Sequence, residues 1–174
     1  MTVKLSTKQK IKVLNGKDVF IIMREILLRE NKIDRNKEHL WIVSLSANNQ
    51  ILLIELIALG TVKNVPIEPM EVFSFALQKR SVKIILVHNH PSGSLKPSSS
   101  DIEITDKIQA IGSFLQVPLI DHIIISEKDH FSFNESGLLG EITRKGNYDL
   151  TFNDKDKLLS TIKRLEKKLS KMKK

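Results

Sequence analysis

The chain contains no cysteine. That absence excludes disulfides, thiolate zinc sites, iron-sulfur clusters and cysteine nucleophiles, and it fits a reducing compartment. Any metal ion has to be held by His, Asp or Glu. Aromatic residues make up only 5% of the sequence, too few for a stacking platform of the kind that holds single-stranded nucleic acids. Long hydrophobic runs are missing too. The strongest, residues 51–59, is interrupted by Glu55, against the roughly 20 apolar residues that span a membrane. Residues 1–17 carry five lysines and no hydrophobic segment, so they do not read as a secretory signal peptide. The expected location is the cytoplasm, with no membrane partner.

What is present fits one packed domain: 174 residues, 41% of them hydrophobic, suffice for a single core. The net charge of +8 sits unevenly. Residues 154–174 hold nine Lys/Arg against three Asp/Glu and the first 153 hold nineteen against seventeen, so the tail carries +6 and the body only +2. A nucleic-acid reading therefore rests on the tail, for example on Lys163, Arg164, Lys167 and Lys168. Leu158, Ile162, Leu165, Leu169 and Met172 repeat there as a heptad seam of about two heptads, which predicts a helix that either packs on the body or pairs two chains as a homodimer. The organisation expected is a basic N-terminal segment at 1–16, a domain at 17–145 and a basic C-terminal helix at 152–174.

Within the domain, Val19, Ile22, Met23, Ile26 and Leu27 recur as one face of a helix over about 17–30. Residues 39–46 and 50–58 read as strands joined at Ala47-Asn48-Asn49. A further short strand after Gly60-Thr61 precedes a helix at 69–79, which Pro66 and Pro69 introduce. Residues 81–90 read as a central strand running into a Gly/Pro loop at 91–97, followed by a helix from near Asp101 with apolar positions 104, 108, 111 and 115. Strands at 119–126 and 131–133 close the domain around the charged turn at 127–129. The fold class is α/β with a mixed, largely hairpin-connected sheet.

Three segments break these local rules. Glu55 has apolar neighbours on both faces of its strand, and a buried carboxylate without compensation costs several kcal/mol or takes up a proton; the plainer explanation is an exposed edge-strand Glu that discourages aggregation. His88 and His90 end the central strand, where the period of two sends both imidazoles to one face, a pair suited to a metal. The letters His-Asn-His do not make this an HNH nuclease, whose residues are dispersed over a ββα-metal element. Asp101 heads the apolar stripe of its helix and should face inward with it, although Ser98 and Asp101 also have the spacing of a capping box.

Taken together, these residues are chemically complementary. Two His and one Asp give three zinc ligands with a fourth position open, as in catalytic sites. Glu55 then serves as general base toward a water activated by the metal, and Ser98 as a hydroxyl donor to the developing oxyanion.

The spacing of Glu55, His88-x-His90, Ser98 and Asp101 resembles the JAMM signature of JAB/MPN metalloproteases. More narrowly, the run VHNHPSGSLKPSSSDIEIT, with LGTV before it and VPLIDHIIIS and FSFNESGLL after it, resembles the RadC-type branch over about residues 17–140. The resemblance implies a single MPN domain, a cytidine-deaminase-like α/β/α sandwich with a mixed, partly curled sheet. It implies Zn²⁺ bound by His88, His90 and Asp101, Glu55 as acid/base and Ser98 supporting the tetrahedral intermediate. The implied activity is cleavage of a peptide or isopeptide amide bond, with a protein or peptide as substrate and ubiquitin-like conjugates among the candidates. RadC-type proteins also carry a DNA-repair label, which with the tail leaves an alternative function as a nucleic-acid accessory protein. A scaffold without catalysis is a third reading, opposed by the intact five-residue set. Asp121-His122 recurs in the resemblance and is expected to support the site from behind or to pack the strand; His39 and His130 receive no assignment.

Overall fold

The computed structural model describes residues 12–60 and 67–148. In chain order the elements are α1 (Gly16–Leu27), α2 (Lys32–Arg35), β1 (Glu38–Leu45), β2 (Ile51–Gly60), α3 (Pro69–Gln78), β3 (Lys83–Asn89), α4 (Ser99–Phe114), β4 (Leu119–Ile125), β5 (His130–Ser132) and α5 (Leu138–Lys145). The short strand expected after Gly60-Thr61 and the tail helix at 152–174 lie outside the described residues. The five strands form one open mixed sheet in the order β2-β1-β3-β4-β5. Only the β3–β4 pair is parallel, with α4 as its crossover; the other neighbours are antiparallel.

Each face of the sheet buries its own cluster. On one side Val19, Ile22, Met23 and Ile26 of α1 pack on Val43, Ile85, Val87 and Ile123. The helix begins at Asn15, whose side chain accepts from the Asp18 backbone N–H, satisfying a donor that the first turn leaves open. On the other side Val72 and Phe73 of α3, Ile108 of α4 and Ile142 of α5 pack on Ile42, Ile84, Leu86 and Ile124. Central strands covered on both faces read as continuous apolar runs, as β3 does. Strand periodicity then puts His88 on the same face as Ile84 and Leu86, toward α4.

The packing of α4 differs from the hydropathy stripe. Its buried residues are Asp101, Thr105, Asp106, Ile108 and Gly112, while Ile104, Ile111 and Leu115 are only partly buried. The reason is close approach. A Cβ at Gly112 would lie 2.7 Å from the Val117 carbonyl and 3.3 Å from Phe73, so the helix seats its smallest residue against the chain returning to β4. Asp101 does face inward, as expected, but beside Thr105 and not beside the larger apolar residues.

Candidate metal centre

The site forms where β3 ends and α4 begins, the crevice at strand carboxyl ends where α/β sheets place their ligands. The His90 backbone N–H donates to the Ile125 carbonyl at 3.0 Å, which carries the β3–β4 ladder one residue past the strand. The loop turns back through Gly93, at φ +78° and bonded to the His90 carbonyl, a conformation that favours glycine. Ser98 then caps α4: its Oγ accepts from the Asp101 backbone N–H at 3.2 Å, and Asp101 Oδ2 accepts from the Ser98 N–H at 2.7 Å.

The structure brings His88, His90 and Asp101 together. His88 Nε2 and His90 Nε2 are 2.9 Å apart. Asp101 Oδ1 lies 3.3 Å from His88 Nε2, and Asp101 Oδ2 3.6 Å from His90 Nε2. One ligand atom from each residue falls within 4.8 Å of the others. Asp101 thus fulfils both readings of its position at once, as a cap toward the backbone and as a carboxylate toward the imidazoles.

The second nitrogen of each imidazole is held from behind. His90 Nδ1 is 2.7 Å from the Ser94 carbonyl, which can only accept, so the proton sits on Nδ1 and Nε2 is left with its lone pair when the ring is neutral. His88 Nδ1 is 2.8 Å from His122 Nε2. His122 Nδ1 is 2.6 Å from Thr105 Oγ1, and that hydroxyl donates to the Asp101 backbone carbonyl. His122 therefore supports the site as well as packing its strand, stacked on Phe133 at 4.7 Å.

The electrostatics are those of a site that wants a positive charge. Burial alone pushes the Asp101 carboxyl up, but hydrogen bonding to His88 and His90 overrides it and holds the group well below the usual carboxylate range. The Asp101 carboxylate raises His90 against the opposing effect of burial. Burial, helped by the neighbouring His88, holds His122 well below the ordinary histidine value. Burial likewise raises Asp121, which accepts from Ser132 Oγ and from the Asn134 and His122 backbone N–H groups and so fixes the strand that carries His122.

Glu55 lies on β2, opposite Ile42, which in turn lies opposite Leu86. Directly opposed residues share a sheet face, so Glu55 is on the α4 side with His88, two strands away. The strand is at the sheet edge, yet Glu55 is only 2% exposed, so edge protection is not its role. Ser98 and Asp101 open onto a groove of about 240 Å³ that is also lined by His90, Ser94, Lys96 and Glu38. His39 and His130 stand apart from the site: His39 Nδ1 meets the Lys37 carbonyl and Asn89 Oδ1 and its ring stacks on Trp41, while His130 stacks on Phe20.

Sequence reasoning missed Thr105. Its one signal is the spacing of four from Asp101, which on a helix stacks the two residues on one face.

A UPF0758 protein of Chlorobium chlorochromatii is 39% identical over 134 residues, which is 77% of this chain and 58% of the relative. One from Pelodictyon phaeoclathratiforme is 47% identical over 106 residues, 61% and 48% of the two chains. One from Clostridium kluyveri is 35% identical over 114 residues, 66% and 50%. The chain spans about half the length of the curated relatives it matches. A family model described as the RadC-like JAB domain matches residues 15–138, a stretch that contains Glu55, the metal group, Ser98, Thr105 and His122. The chain belongs to the RadC-like JAB domain family.

Proposed function

We propose that the protein is a zinc-dependent hydrolase that cleaves a peptide or isopeptide amide bond. The observation that carries this reading is the convergence of His88 Nε2, His90 Nε2 and an Asp101 oxygen on one point. Three acceptors facing one another call for a positive charge between them, a proton on His90 or a metal ion, and two imidazoles with one carboxylate suit borderline-soft zinc, leaving a fourth position open. When bound there, zinc supplies a Lewis acid and brings the pKa of a water down toward about 7.

The chain's own groups do the rest. Glu55, buried on the same sheet face, takes the proton of the attacking water onto its carboxylate and returns it to the leaving amine. Ser98 Oγ accepts from the Asp101 N–H, which leaves its own hydrogen to donate into the groove, toward the oxygen of the tetrahedral intermediate. Lys96 and Glu38 line that groove with the serines, a polar channel suited to a peptide backbone or a lysine side chain. A protein or peptide, ubiquitin-like conjugates included, is the proposed substrate.

The test is metal analysis combined with Glu55→Gln. Zinc is expected at about one per chain in both proteins, and amide cleavage should fall by about 10²- to 10⁴-fold in the variant. Cleavage that persists in Glu55→Gln removes the base from this scheme, and a wild-type chain that takes up no divalent ion removes the scheme altogether.

A further inference from the structure

We infer that Thr105 and His122 are positioning residues that set the proton on His88, and so determine which of its nitrogens is free to bind the metal. The inference rests on the metal-centre reading and goes beyond it, to residues that bind neither metal nor substrate.

Hydrogen-bond directions carry it. A carbonyl oxygen can only accept, so the single hydrogen of the Thr105 hydroxyl goes to the Asp101 carbonyl. Toward His122 Nδ1, at 2.6 Å, Thr105 Oγ1 has only lone pairs left. His122 must therefore carry its proton on Nδ1, and its Nε2 accepts. The group 2.8 Å from that Nε2 is His88 Nδ1, which must donate. The proton of His88 is thereby placed on Nδ1 and the Nε2 lone pair turns toward His90 and Asp101. The order runs from the α4 backbone through Thr105, His122 and His88 without a free choice at any link, because His122 and Thr105 are both fully buried and no water can reverse a donor.

The chain also returns to its starting point, since the carbonyl that orients Thr105 belongs to Asp101, itself a ligand. Helix α4 thus supplies one ligand directly and fixes the tautomer of another through strand β4. Outer partners of this kind typically change metal affinity by about 10- to 100-fold.

Thr105→Val keeps the shape and removes the acceptor. The His122 proton then moves to Nε2, from where it faces His88 Nδ1 and drives the His88 proton onto the ligating nitrogen. Zinc affinity, measured by competition with a chromogenic chelator, should fall by about 10- to 100-fold, and Thr105→Ser should restore it to within about threefold. Long-range ¹H–¹⁵N spectra of the zinc-loaded wild type should show the His122 proton on Nδ1. Wild-type affinity in a folded Thr105→Val variant, or a His122 proton on Nε2 in the wild type, overturns the inference while leaving the metal centre standing. The wild-type spectrum decides the matter even if Thr105→Val does not fold. A wild type that binds no zinc would instead overturn the metal reading.

Discussion

At the scale of single residues, the imidazoles of His90 and His122 give the metal-free protein a stability that changes with pH on both sides of about 6.5. His122 titrates well below 6.5 in the folded state, because burial disfavours its charged form. Between that lowered value and the unfolded value near 6.5 the unfolded chain binds one proton more, so stability rises with pH there and is lost as pH falls below about 6.5. His90 has the opposite sign. Its hydrogen bond to Asp101 raises it above 6.5, so its contribution is fully present below about 6.5 and is lost as pH rises through the folded value. The two windows lie side by side, which makes them separable. In chelator-treated protein, denaturant titrations from about pH 5 to 6.5 should show a positive slope of stability with pH that approaches, at most, about 1.4 kcal/mol per unit from His122 alone. His122→Gln should lack that component, whatever its absolute stability; equal slopes for the two proteins would mean that His122 takes up its proton as readily in the fold as in the unfolded chain.

At the scale of elements, the start of α4 performs two tasks with one residue. Ser98 ends the loop as an N-cap, and its hydroxyl lines the groove beside Asp101. The tasks separate by substitution. Ser98→Ala should cost about 1 kcal/mol of stability together with turnover, whereas Ser98→Gly, a tolerated cap with no side-chain donor, should recover most of the stability and none of the oxyanion donation. Thermal melts and initial rates on one amide substrate check this; turnover that recovers with the glycine cap would reduce Ser98 to a structural residue. The same helix shows which features were legible in the sequence. His88 and His90 could be placed because strand period and loop composition agree, and Glu55 because a charge inside an apolar run has few explanations. The buried face of α4 was misread by roughly one position, since Thr105 and Gly112 occupy the interior where hydropathy looks for larger residues. Helix α5 was missed because only Leu139 and Ile142 are buried in its eight residues. Its readable signs were Gly137 and Gly146 at either end, both with positive φ, where glycine is favoured. The four residues of α2 are too few to show any period.

At the scale of the whole molecule, charge and chemistry are separated along the chain. The described body carries the three candidate metal ligands and the groove, and none of its helices is long and apolar enough to cross a membrane. Residues 154–174 carry six of the eight net positive charges and lie outside the described residues. If that segment holds nucleic acid, it does so through phosphates, because a lysine-rich run offers no means of reading base edges. Binding should then be insensitive to sequence and steeply dependent on salt: with five or six phosphates neutralised, log affinity for duplex DNA falls against log salt with a slope of about −5. Fluorescence anisotropy at about 50 and 200 mM salt should therefore show a loss of roughly 10³-fold, and a chain ending at residue 153 should lose the affinity at the lower salt as well. Zinc content and amide cleavage should be unchanged by the same truncation, because every residue assigned to the site and its groove lies between Glu38 and His122. DNA binding that survives in the shortened chain would move the interface onto the nearly neutral body, and no binding by the intact chain at low salt would remove the nucleic-acid reading.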